Sequence, residues 1–85
     1  MNKKISADEM LEILQQQWAD YKDIRKIACV GISKAQEIKK EIADKLEQEM
    51  YLLPKGLVPM KSVIEHLRID ISYLKKMAKG VNKNG

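Results

Sequence analysis

The sequence predicts a mainly α fold, a compact helix-turn-helix domain carrying a small two-stranded β-hairpin wing. Three observations predict it. Apolar residues recur three and four positions apart in several stretches, the spacing of amphipathic helices. Two of those stretches open on a Ser-x-x-Glu or Ser-x-x-Gln box, in which each end's side chain satisfies the other's backbone. Two short apolar runs then flank Pro54-Lys55-Gly56, a tripeptide suited to a tight turn between strands.

The first helix starts at Ser6-Ala7-Asp8-Glu9, with Ile5 before the cap and Met10 after it as the halves of a hydrophobic staple. Met10, Leu11, Ile13, Leu14 and Trp18 continue its apolar face, and Trp18 is expected in the core as a large anchor for a small domain. Asp20 caps a second, short helix from Tyr21 to Ala28, with Tyr21, Ile24, Ile27 and Ala28 inward. Gly31 ends the connection that follows and is expected at a left-handed or crowded backbone position. Ser33-Lys34-Ala35-Gln36 is the second capping box and opens the longest helix, about Lys34 to Glu49. Ala35, Ile38, Ile42 and Leu46 form its buried stripe, opposite Gln36, Glu37, Lys40, Asp44 and Glu47.

Helical spacing fails after Glu49. Met50–Leu53 and Leu57–Met60 are read as the strands of the hairpin, with Lys55 at its tip and Pro59 at a strand end or edge. A short helix over about Lys61 to Leu67 follows, then a break at Arg68-Ile69-Asp70, with Asp70 as a cap. A last helix from Ile71 to Lys79 stops at Gly80. Residues 1–80 read as one domain and 81–85 as a disordered tail.

Composition narrows the function. With 85 residues the chain is too short for a deep cleft supported by a second layer of side chains. One cysteine, Cys29, makes no internal disulfide, and Cys29 with the single histidine, His66, makes no four-ligand zinc site. Neither a secretory leader nor a membrane span is evident, so a cytoplasmic location without a membrane partner is expected. No pair of groups suited to catalysis, no cofactor site and no small-molecule substrate is evident. Cys29 is expected as a buried structural thiol. His66 is expected on the surface, and Glu41 is expected to pair with Lys45 four residues on.

The net charge of +4 is unevenly spread. Residues 1–19 carry two basic and three acidic side chains, residues 20–49 seven of each, and residues 50–85 seven basic against two acidic. The last third is therefore the part that attracts a polyanion. The four aromatic residues, Trp18, Tyr21, Tyr51 and Tyr73, are too scattered for a platform that stacks single-stranded bases.

These features converge on residues 23–48, where a short helix, a glycine-containing turn and a capped second helix follow one another. In that arrangement the second helix enters the major groove of DNA by its first turns, while its positive dipole end faces phosphate. The run Val30-Gly31-Ile32-Ser33-Lys34-Ala35, then Ile38-Lys39-Lys40 and Leu46, then Tyr51, Lys55-Gly56 and Val58-Pro59, resembles the small excisionase-like helix-turn-helix proteins of Gram-positive phages and integrative elements. The resemblance covers under half of the chain. It implies sequence-specific binding of double-stranded DNA, as an excision factor or transcription regulator.

The residues expected nearest DNA are Ser33, Lys34, Gln36, Lys39 and Lys40 on the long helix, with Lys55, Lys61 and Arg68 as phosphate donors. Gln36 suits an adenine edge and Lys40 a guanine edge or a phosphate, but a Gln36 closing a capping box is not free to read a base. The rival expectation is a protein–protein adaptor or inhibitor of antirepressor type on the same scaffold, or self-association. The acidic Glu37, Glu41, Asp44 and Glu47 of the long helix favour it.

Overall fold

The computed structural model describes residues 5–80, in the order α1 (Ala7–Leu14), β1 (Trp18–Ala19), α2 (Tyr21–Ala28), α3 (Ile32–Gln48), β2 (Val58–Pro59), α4 (Met60–Leu67) and α5 (Ile71–Gly80). The tail expected over 81–85 lies outside the described residues. The chain is mainly helical with one two-stranded antiparallel sheet.

The helix starts follow from local capping. Ser6 accepts from the Glu9 N–H at 3.1 Å while the Glu9 carboxylate accepts from the Ser6 N–H at 3.2 Å. Asp20 and Asp23 close a second box, at 3.0 and 3.1 Å, and so fix the start of α2. Asp70 accepts from the Tyr73 N–H at 2.9 Å at the head of α5. The predicted box Ser33–Gln36 does not form. Gly31 is the N-cap of α3, without a side-chain hydrogen bond, and α3 starts at Ile32, so that Ser33 is already helical.

The helix ends share one device. Where α2, α3 and α4 stop, a residue other than glycine turns left-handed: Cys29 (φ 57°), Met50 (φ 71°) and Arg68 (φ 55°). The N–H of the next residue then reaches back five positions. Val30 bonds to the Arg25 carbonyl at 3.1 Å, Tyr51 to Leu46 at 3.0 Å and Ile69 to Ile64 at 3.0 Å. These are the long bonds of the Schellman motif, which pairs carbonyls the helix leaves open. Gly31 has φ −76° and ψ 177°, an ordinary extended conformation, and a Cβ added there meets nothing within 4 Å. The left-handed position of the α2–α3 connection thus belongs to Cys29, which is exposed at its cap and not a buried thiol.

The expected hairpin between Met50–Leu53 and Leu57–Met60 does not form. Met50 is taken up in capping α3, and Pro54 has no N–H to offer a ladder. Instead Val58–Pro59 pairs with Trp18–Ala19, Ala19 opposite Val58 and Trp18 opposite Pro59. Pro59 sits on an edge as expected, and the adjoining bond runs from the Met60 N–H to the Gln17 carbonyl at 2.8 Å. Residues 51–57 are a loop that closes at Pro54-Lys55-Gly56-Leu57, with the Leu57 N–H bonded to the Pro54 carbonyl at 3.2 Å and Gly56 at φ +75°. Positive φ at the third turn position is the requirement of a type II turn, and glycine meets it.

The core joins the sheet to four helices. Leu14 from α1, Ala19 from β1, Ile24 and Ile27 from α2, Ala35, Ile38 and Ile42 from α3, Val58 from β2, and Met60 and Val63 from α4 are buried. Helix α3 packs on α2 and α4, and α5 lies along α1. Trp18 belongs to β1 and not to α1. It stays 37% exposed, because the two-residue strand turns Ala19 to the core and Trp18 away from it.

Candidate nucleic-acid interface

The amphipathic pattern of α3 divides it cleanly. Ala35, Ile38 and Ile42 are buried, whereas Ser33, Gln36, Glu37, Lys40, Asp44 and Glu47 recur at three- and four-residue spacing on an exposed face. Gln36 is not engaged in a cap, so its amide is on the open face with Ser33. Ile32, in the first turn, is 48% exposed beside them. Its offset from the Ala35–Ile38–Ile42 stripe places it outside the core.

Two of the lysines on this helix are paired with carboxylates. Lys34 faces Glu37 at 3.4 Å and Lys40 faces Asp44 at 3.1 Å, all four side chains more than half exposed. Exposed pairs of this kind hold their partners weakly, by about 0.2–1 kcal/mol, so each ammonium can be transferred to a stronger anion. Glu41 pairs with His66 of α4 at 3.3 Å and not with Lys45. That contact crosses from α3 to α4, at the recess lined by Ile42, Lys45, Leu46, Glu65 and His66. Among the described residues no three His, Cys, Asp or Glu side chains gather as metal ligands. No described helix is long and apolar enough to cross a membrane.

Lys39 is half-buried and points away from the open face. Its ammonium donates to the Gly56 carbonyl at 3.3 Å and so holds the 54–57 turn beside the middle of α3. This contact brings the exposed Lys55 to the flank of the helix without the predicted hairpin. Lys61 and Arg68 are placed differently. Lys61 lies in the first turn of α4, beside a recess formed with Gln16, Gln17 and Ile71. Arg68 closes the other end of the same helix. No hydrogen bond or ion pair among the described residues ties either to the α3 face. Of the eight expected contact residues, Ser33, Lys34, Gln36 and Lys40 are exposed on α3, Lys39 is half-buried and bonded to the turn that carries Lys55, and Lys61 and Arg68 stand at the two ends of α4.

Asp23 binds its proton more tightly than an ordinary aspartate. Burial raises its pKa, and the neighbouring Asp20 adds to the rise, against the Asp20 N–H bond and Lys26. Its role is at the start of α2. Comparison of the chain with models of protein families, with curated proteins and with solved structures finds no match.

Proposed function

We propose that this chain binds double-stranded DNA without enzymatic activity, using α2, the 29–31 connection and α3 as a helix-turn-helix, with α3 in the major groove. The observation that carries the reading is the open face of α3. Its first half offers Ser33, Gln36 and Lys40, none of them needed by the core, on a helix whose opposite side is locked to α2. An amide, an ammonium and a hydroxyl at that spacing match the donor and acceptor edges of base pairs, and the exposed Ile32 suits a thymine methyl. Lys34 lies in the first turn, where the helix dipole also favours a phosphate. Lys55, presented by the turn held at Lys39, is a second phosphate donor outside the groove. Asp44 and Glu47 lie toward the other end of α3, which need not touch DNA.

Together with the resemblance to excisionase-like proteins, this reading makes the chain a phage or mobile-element excision factor or transcription regulator. A second reading, a protein adaptor on the same scaffold, draws support from the charge balance of α3. Fluorescence anisotropy with labelled duplexes, including the DNA upstream of its own gene, tests the choice. DNA binding requires a specific duplex to be preferred over a random one and affinity to fall as salt rises. Equal and salt-insensitive affinities for all duplexes would exclude it.

A further inference from the structure

Helical spacing fixes which side chains of α3 travel together. Ser33, Gln36, Glu37 and Lys40 stand three and four positions apart, so they form one contiguous patch, with Glu37 one turn after Ser33 and three residues before Lys40. All four are exposed. A face that lays Gln36 and Lys40 against base edges therefore carries Glu37 into the same groove. The Glu37 carboxylate lies 3.4 Å from the Lys34 ammonium, both side chains more than half exposed, while Lys40 is paired with Asp44 at 3.1 Å. An ionised carboxylate has acceptors only. Between two strands of phosphate it is repelled, and what offsets the repulsion is a hydrogen bond donated by a base.

Resting on the DNA-binding function above, we propose that Glu37 is a specificity-determining residue, which selects sites where a cytosine presents its N4 amino group to the carboxylate. The choice among bases follows from their major-groove edges. Guanine offers acceptors there, and thymine an acceptor and a methyl, so both leave the carboxylate without a donor. Adenine offers its N6 amino group beside the N7 acceptor, which opposes the second carboxylate oxygen. Cytosine offers the N4 donor alone. Lys34 couples this choice to the DNA backbone. Its exposed pair with Glu37 is weak, so the cytosine amino group can take its place and release the ammonium to a phosphate. On any other base, either Lys34 stays with Glu37 and the phosphate contact is lost, or the carboxylate enters the groove unpaired. Both penalise the wrong site, so Glu37 discriminates by rejection as well as by attraction.

Selection of preferred duplexes from a randomised pool, run with the wild-type chain and with Glu37→Gln, tests this. Glutamine keeps the length and one acceptor, removes the charge and adds a donor, and the position is exposed, so far-ultraviolet circular dichroism should stay that of the wild type. Wild-type sites are expected to hold one position where cytosine is required. Replacing it should weaken wild-type binding at least about tenfold in anisotropy titrations. Glu37→Gln should show less than about a threefold difference at that position, accept adenine there, and bind random duplexes more tightly than the wild type does. The same cytosine requirement in the folded variant, or wild-type sites with no position that depends on cytosine, would overturn the proposal and leave DNA binding standing. A folded variant weakened equally on all duplexes would give Glu37 a structural role and overturn it too. A wild-type chain that prefers no duplex over a random one would overturn the DNA-binding function itself, and this proposal with it.

Discussion

The ammonium of Lys39 donates to the backbone carbonyl of Gly56 at 3.3 Å, seventeen residues away, and joins the middle of α3 to a glycine at positive φ. Lys39 thereby changes its expected role. It positions the turn, and under the proposed DNA-binding function it acts through that placement. Lys39→Met keeps the aliphatic stem and removes the bond, so it is expected to cost at most about 1 kcal/mol of stability. It should also weaken DNA binding by releasing the turn that carries Lys55, flattening the salt slope by no more than Lys55→Ala does, with no further flattening when the two changes are combined. A further flattening of about 0.9 in the double variant would instead identify Lys39 as a direct phosphate contact.

Lys55 is the charge that this turn presents. It is exposed at the turn and holds nothing in the core. Lys55→Ala is expected to leave stability within about 0.5 kcal/mol. It should weaken specific and random duplexes alike and flatten the slope of log affinity against log salt by about 0.9. Anisotropy titrations at several salt concentrations read both quantities. An unchanged slope on a folded variant would remove the turn from the interface.

Lys40→Ala and Gln36→Ala address sequence reading. Both side chains are exposed, and the Lys40–Asp44 pair is a surface pair, so neither variant should unfold the domain. Each is expected to lose about 1–3 kcal/mol on the specific duplex, with Gln36→Ala losing selectivity at one base pair. Competition between the specific site and its single-base variants checks this, and equal losses on all duplexes would reassign the residue to the backbone.

What could be read from the sequence follows the range of the forces. Helix starts at Ser6, Asp20 and Asp70 were legible because a cap is closed by residues three apart. The buried stripe Ala35–Ile38–Ile42 was legible because periodicity is local. The ends of α2, α3 and α4 fall within one residue of the expected Ala28, Glu49 and Leu67, but the device that closes them does not show in the sequence, because Cys29, Met50 and Arg68 adopt a backbone conformation that composition assigns to glycine. At the end of α3 that had a consequence. With Met50 read as strand rather than cap, Val58 was given a neighbour in sequence as its partner instead of Ala19, some forty residues away. On the candidate site, the exposed face of α3 was visible in the spacing. The Lys39–Gly56 bond was not, since nothing local encodes a contact between a helix and a distant turn.

The same reading yields a paired stability prediction. Cys29→Gly is expected to stabilise the fold by about 1 kcal/mol, because a left-handed backbone costs a residue with a Cβ about 1–2 kcal/mol, offset in part by glycine's freedom in the unfolded chain. Gly31→Ser places an N-cap hydroxyl where φ −76° and open space allow it, and should be neutral or stabilising by a few tenths of a kcal/mol. Thermal melts check both. One kcal/mol corresponds to about 4–8 °C in a domain of this size. A lower melting temperature for Cys29→Gly would mean that the thiol contributes more than its backbone angle costs.

Asp23 supplies the pH dependence. Its pKa is raised in the folded chain, chiefly by burial and then by the nearby Asp20 carboxylate. The folded state therefore holds the Asp23 proton more tightly than the unfolded state does. Between the ordinary aspartate value and the raised one, the folded chain binds more protons, so this group's contribution to stability falls as pH rises through that window. Above the window the ionised carboxylate is a fixed cost, partly repaid by the Asp20 N–H bond at 3.1 Å. Asp23→Asn removes the titration and keeps a carbonyl oxygen to accept that bond. Relative to wild type, the variant should gain stability as pH rises from the acid side, then hold a constant difference near neutrality. Urea melts of both proteins across the acid range give that difference directly, and cancel the carboxylates they share. A difference independent of pH would show that Asp23 titrates as it does in the unfolded chain. One that moved in the variant's disfavour with rising pH would show its carboxylate to be stabilised by the fold.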